Sequence, residues 1–175
     1  MTDDPSPAPR LDVDVAVPCA DWLAALATAE ALCRTAAAAA FQEGGAFAPG
    51  PAEVSLVLAD DATLQDLNRT YRNQDKPTNV LSFPGRQADE AAPPPGQPLL
   101  LGDVVIAFGT AAAEAHRDGK ALADHLSHLV VHGMLHLLGH DHEATADAEK
   151  MEALERRILS GLGIGDPYAD QPESR

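Results

Sequence analysis

The sequence predicts an α+β domain (α/β-like), with four strands in one mixed sheet packed with about five helices. Two observations predict it. Apolar runs of strand length and longer runs of helical period follow one another in the order βαβαββααα, without an internal repeat. The chain has 175 residues, 45% of them hydrophobic, which is one domain with length enough for a real core.

The elements follow in order. Residues 1–10, with two aspartates and three prolines, read as a disordered tail. Leu11, Val13, Val15 and Val17 alternate as a half-buried strand does. From Asp21 to about Glu43 the set Trp22, Leu26, Ala29, Cys33, Ala37 and Phe41 has helical spacing, ended by Gly44-Gly45. Val54 to Leu58 is a second strand. Asp60 or Asp61 can cap a helix carrying Leu64, Leu67 and Tyr71 on one face. Thr78 to Phe83 is a strand stopped by Pro84-Gly85, and residues 86–98 form a Pro-rich loop. Leu99 to Phe108 is a fourth strand. A short helix starts at Thr110 and breaks at Gly119. A helix that sets His132 and His136 on one face, and so resembles the metal helix of zincins, runs from about Leu122 to Leu138. Thr145 can cap a last helix whose buried stripe is Met151, Leu154, Ile158 and Leu162. The domain spans 11–168, and 169–175 form a flexible tail.

The chemistry concentrates in His132-Gly133-Met134-Leu135-His136-Leu137-Leu138-Gly139-His140-Asp141-His142. At about 100° per residue, His132 and His136 lie about 40° apart on one helix face. His142 falls elsewhere if the helix continues, but Gly139 can take the left-handed conformation that ends a helix. The chain can then bring His142 beside the other two. Three imidazoles in an otherwise apolar segment make a metal site better than a core, where their nitrogens need partners. Three protein ligands leave an open position, the catalytic arrangement for zinc. One divalent metal, zinc by preference, is expected on His132, His136 and His142. Metalloproteases place a glutamate directly after the first histidine as general base. Position 133 is glycine, so peptide hydrolysis is disfavoured.

This segment resembles the signature of the YbeY endoribonucleases, or rRNA maturation factors. A second block, Leu67-Asn68-x-x-Tyr71-Arg72-x-x-Asp75-Lys76-Pro77-Thr78-Asn79-Val80-Leu81-Ser82-Phe83-Pro84, supports the resemblance. So do Leu101-Gly102-Asp103-Val104-Val105-Ile106 and the tail Met151-Glu152-x-Leu154-Glu155, Gly163 and Asp166-Pro167-Tyr168. The resemblance covers about residues 54–168. It implies a metal on three histidines and cleavage of single-stranded RNA. It also implies work on small-subunit ribosomal RNA, in maturation and quality control, alongside the small ribosomal subunit and its assembly factors. It associates the arginine of the Tyr-Arg block, Arg72, with activity. The Pro-rich insertion and the acidic balance depart from the family pattern.

Other residues carry weaker signals. Arg72 alone reads as a solvated arginine or, in its basic Pro-punctuated segment, as a bidentate phosphate clamp. Asp141 can orient an imidazole, accept a proton in place of the absent glutamate, or simply stabilise its turn. Without a glutamate at 133 the proton acceptor stays open among Asp141, a metal hydroxide and the 2′-OH of the substrate. His128 shares the ligand face one turn up, as a pocket wall or a partner behind the ligands. His125, His140 and His116 are expected at the surface. Asn79 and Ser82 fall on opposite faces of one strand, and the sequence leaves open which face is inward.

The formal charge is −15, from 12 basic and 27 acidic residues, which opposes RNA binding. Between Asn68 and Gln87, however, Arg69, Arg72, Lys76 and Arg86 outnumber the single Asp75. No apolar run approaches membrane length and no signal peptide pattern precedes the domain, so a cytoplasmic location without membrane contact is expected. Cys19 and Cys33 read as small buried hydrophobes rather than a disulfide. Two rivals remain: a peptidase on the same cradle, and a non-catalytic assembly factor with a structural zinc closed by His128 or Asp141.

Overall fold

The computed structural model describes residues 11–44, 51–85, 97–140 and 145–167. The two expected tails and nearly all of the Pro-rich loop lie outside the described residues. The elements are β1 (Leu11–Ala16), α1 (Asp21–Ala25), α2 (Ala29–Gly44), β2 (Ala52–Ala59), α3 (Asp61–Arg72), β3 (Val80–Pro84), β4 (Leu99–Ala107), α4 (Phe108–Arg117), α5 (Leu122–Leu137) and α6 (Thr145–Gly161). The sheet order is β1-β2-β4-β3. β1, β2 and β4 run parallel, and β3 lies antiparallel on the β4 edge. The expected mixed four-stranded sheet is present.

Alternation along the strands sends side chains to two cores. Val54, Leu56, Leu58, Val104 and Ile106 join α2, α5 and α6 in the main core. Ala59, Val105 and Ala107 meet Leu64 and Leu67 of α3, with Leu81 and Phe83, on the other face. β4 does not alternate throughout. Leu101 is an extra residue between the pairs Glu53–Leu100 and Val54–Gly102, a bulge that reverses the inward phase. Leu99 before the bulge and Leu101 within it are therefore buried, and Val104 and Ile106 after it. Gly102 sits at φ 132°, where a Cβ would stand 2.1 Å from the Phe83 carbonyl oxygen, so only glycine fits.

One expected helix is two. The 21–43 pattern breaks after Ala25, where Leu26 turns extended, and restarts at Ala29. The halves have different destinations. Trp22 is buried at the end of the sheet, its indole N–H donating to the Ala59 carbonyl at 3.1 Å and its ring edge-on to Phe108. α2 instead packs its small Ala36, Ala37 and Ala40 side chains in the main core. The two aspartates before α3 also divide. Asp60 caps α3 through the Thr63 N–H, while Asp61 accepts from the Thr110 N–H and hydroxyl and ties α3 to α4. The Thr63 hydroxyl on Asp60 holds that carboxyl below its ordinary pKa. Burial pushes the Cys33 thiol up to about 12, and neither Cys19 nor Cys33 is disulfide-bonded. No described helix is long and apolar enough to cross a membrane.

Candidate metal centre

α5 is seated on the sheet by its glycine. A Cβ on Gly133 would stand 2.6 Å from Val104 Cγ1 and 3.2 Å from the Ser82 hydroxyl, closer than packing permits. The Ser82 hydroxyl donates to the Gly133 carbonyl at 3.2 Å. Ser82 and Val80 thus face α5, which settles the orientation that alternation left open. Position 133 faces the sheet rather than the histidines.

His132 and His136 turn away from that contact. Their Nε2 atoms lie 3.2 Å apart. Two nitrogens bound to one tetrahedral zinc at 2.0–2.1 Å stand about 3.3 Å apart, so the pair fits a shared metal as it stands. His132 Nδ1 meets Glu155 Oε2 at 2.6 Å, and Glu155 is fully buried. Nδ1–H donating to that carboxylate leaves the Nε2 lone pair facing outward, the tautomer a ligand needs. Glu155 Oε1 also lies 3.3 Å from His128 Nε2, which places His128 behind the His132–His136 pair. Sequence reasoning assigned Glu155 no role. The signal was available: α6 buries Met151, Ile158 and Leu159, and Glu155 falls on that stripe as its one acid.

The expected turn follows. Gly139 has φ 98°. His140 N–H donates to the Leu135 carbonyl at 3.0 Å and Gly139 N–H to His136 at 3.1 Å. This is the Schellman pattern that reverses a chain at a helix end. His140 is not in solvent as expected: its Nε2 meets the Gly44 carbonyl at 3.1 Å, joining the turn to the end of α2. Asp141 and His142 lie outside the described residues. Among the described residues no group of three or more donors could hold a metal, so His132 and His136 stand as a pair.

Both histidines line a cavity of about 440 Å³ with Asn68, Arg72, Asn79 and Ser82. Arg72 donates to the Ser82 carbonyl at 2.7 Å and holds its guanidinium 5.5 Å from the Phe83 ring centroid. Asn68 is buried and donates to the Lys76 carbonyl, closing the loop that follows α3. Asn79 donates to Glu114 Oε1 at 3.0 Å.

The same Glu114 oxygen lies 2.9 Å from His125 Nε2. His125 is buried, not exposed as the sequence suggests. Desolvation lowers its pKa, and the Glu114 hydrogen bond opposes without overcoming it. His125 Nδ1 is buried with no hydrogen-bond partner. A bare acceptor there is tolerable, whereas a protonated Nδ1 would bury an unpaired donor, which favours the neutral ring. His116 is at the surface, as expected.

The sequence model described as Endoribonuclease YbeY matches residues 24–163. An Endoribonuclease YbeY of Paramagnetospirillum magneticum is 55% identical over 162 residues, covering 92% of this chain and 98% of that protein. Another, from a Chelativorans species, is 45% identical over 169 residues, covering 97% and 100%. The solution structure of TM1509 from Thermotoga maritima aligns with TM-score 0.50 at 21% identity, covering 96% of this chain and 99% of that one, a likeness of fold.

Proposed function

This chain belongs to the YbeY endoribonuclease family, and from that premise we propose a metal-dependent endoribonuclease that cleaves single-stranded RNA. Its place is maturation and quality control of small-subunit ribosomal RNA in the cytoplasm, with the small subunit and its assembly factors as partners. One observation carries the site assignment: the Nε2 atoms of His132 and His136 converge at 3.2 Å on a cavity that Arg72 also lines. His142 is the third ligand in this reading, delivered by the turn at Gly139. One zinc ion per chain suits the imidazole set. When bound, it supplies Lewis acidity and an activated water.

The residues do the rest. Glu155 holds His132 in its ligand tautomer. Arg72 offers a planar fork to a phosphate, its reach set by the bond to Ser82, and neutralises charge that develops during cleavage. Asn68, Asn79 and Ser82 keep their donors on protein acceptors, so the cavity wall is pre-ordered. Asp141 is the acceptor proposed for the proton that the attacking group, a water or the 2′-OH of the substrate, gives up. In-line attack by the 2′-OH would leave a cyclic phosphate and make DNA inert. The buried, sheet-facing Gly133 leaves no room for a protease's general base, which disfavours the peptidase alternative.

Elemental analysis and an RNA-cleavage assay on three proteins test the reading. The parent should hold one zinc and cleave single-stranded RNA. His136→Ala should lose both. Arg72→Ala should keep the metal and lose on the order of 10²-fold in rate. Full metal occupancy in His136→Ala, or parental cleavage by Arg72→Ala, would refute the assignment of that residue.

A further inference from the structure

We propose that the outer face of β3, around Tyr71 and Phe83, is a nucleobase subsite for the RNA strand held at the cavity. The inference rests on the nuclease reading and adds where the base beside the held phosphate goes.

Tyr71 ends the apolar stripe of α3, yet it is 66% exposed instead of packed as the sequence suggests. Among the described large hydrophobics only Leu23, Tyr71 and Leu100 are exposed, in a chain with 4% aromatic residues. Tyr71 borders a hollow. Its ring meets Phe83 edge-on, with centroids 5.5 Å apart, above an apolar floor of Val57, Leu67 and Val105. The hollow measures about 360 Å³. Flat aromatic edges over an apolar floor suit a planar π-system, and every nucleobase has one.

Continuity with the cavity favours RNA over another occupant. Neighbouring residues divide between the two hollows: Arg72 and Ser82 line the cavity, Tyr71 and Phe83 the platform. Among the described residues β3 is the edge strand of the sheet, and no further strand separates the two hollows. Arg72 stands between, bonded to the Ser82 carbonyl and stacked over Phe83. A phosphate at Arg72 therefore puts its flanking nucleoside within reach of Tyr71. Asp103, paired across the strands with Phe83, rims the platform. Its carboxylate repels a phosphate and tolerates a neutral base, so the base enters and the backbone stays at Arg72. Stacking also answers the charge problem. A chain of −15 gains little from counterion release, and stacking supplies affinity that salt does not screen.

The test binds a single-stranded oligoribonucleotide carrying 2-aminopurine to the metal-loaded parent, Tyr71→Ala and Tyr71→Phe at two salt concentrations, and measures cleavage in parallel. Fluorescence is read before turnover. The parent should quench the probe. Tyr71→Ala should lose the quench and about tenfold in affinity at both salts, with the salt slope and saturated cleavage rate retained. Tyr71→Phe should behave as the parent. Parental affinity and quenching in Tyr71→Ala would overturn the proposal and give the face to a protein or a second copy. So would a loss that phenylalanine fails to restore, or one confined to low salt. A parent that binds with quenching but never cleaves would sink the nuclease reading and keep the platform. A parent that cleaves while Tyr71→Ala binds unchanged would sink the platform alone.

Discussion

The four histidines of α5 divide into two ends that hold their carboxylates differently. His125, His128, His132 and His136 form one stripe, with neighbouring rings 6.1, 6.3 and 4.7 Å apart. At the first end, His125 gives Nε2 to Glu114, and His128 turns Nε2 to Glu155. At the second, Glu155 takes His132 from the Nδ1 side, and the Nε2 atoms of His132 and His136 converge. Here the carboxylates on Nε2 tie His125 and His128 into the scaffold, and the one on Nδ1 turns His132 Nε2 toward His136, the orientation the proposed metal ligands need. Helical spacing fixes the stripe. The ring nitrogen that meets a carboxylate fixes the role, and those carboxylates come from α4 and α6.

The largest effect should come from the opposite side of the same turn. Gly133→Glu would force a Cβ against Val104, which is fully buried, and bury a carboxylate beside it. Overpacking alone costs about 1–3 kcal/mol, and the charge adds to it. We expect urea denaturation to show a loss of about 3 kcal/mol or more, with no peptidase activity gained. A stable, peptide-cleaving variant would mean that position 133 opens to the histidines after all.

That contact also marks how far the sequence could be read. Strand alternation, an aspartate cap on α3 (Asp60 or Asp61 by sequence, Asp60 in the structure) and the Gly139 turn are local, and each was legible. The Leu101 bulge was not, because it depends on the register with β2. The break at Leu26–Thr28 was not either, since Trp22 is drawn to a carbonyl 37 residues away. In the site, the spacing named His132 and His136, and the family block named Arg72. Glu155 and Glu114 escaped because their partners lie 23 and 11 residues away along the chain. The burial of His125 escaped for the same reason. An acid on an apolar helical stripe is the sign that would have exposed Glu155.

Glu155→Gln sharpens the comparison from its middle. Glutamine keeps the size and can still accept from His132 Nδ1, but it removes the charge that makes the imidazole a better donor. Losing such a partner costs about 10- to 100-fold in metal affinity. Competition with a chromophoric chelator should show that loss, with the His125–Glu114 end unaltered. Unchanged affinity would mean that Glu155 merely fills space beneath His132.

The smallest effect belongs to His125, and pH reads it. Its folded pKa lies below the ordinary value of 6.5, chiefly through desolvation, against the pull of Glu114 and with His128 and Lys120 adding to the drop. Below about pH 6.5 the unfolded chain binds a proton that the folded chain refuses. The stability carried by neutral His125 is thus present above that pH and lost as pH falls toward the folded pKa. His125→Gln can still donate to Glu114 but cannot titrate. Urea denaturation at about pH 7 and about pH 5.5 should show the parent losing more stability than the variant across this window. Carboxylates titrating in the same range are common to both proteins and cancel in the difference. Equal losses would mean that His125 takes up its proton as readily folded as unfolded, and the two ends of the stripe would then differ less than their hydrogen bonds imply.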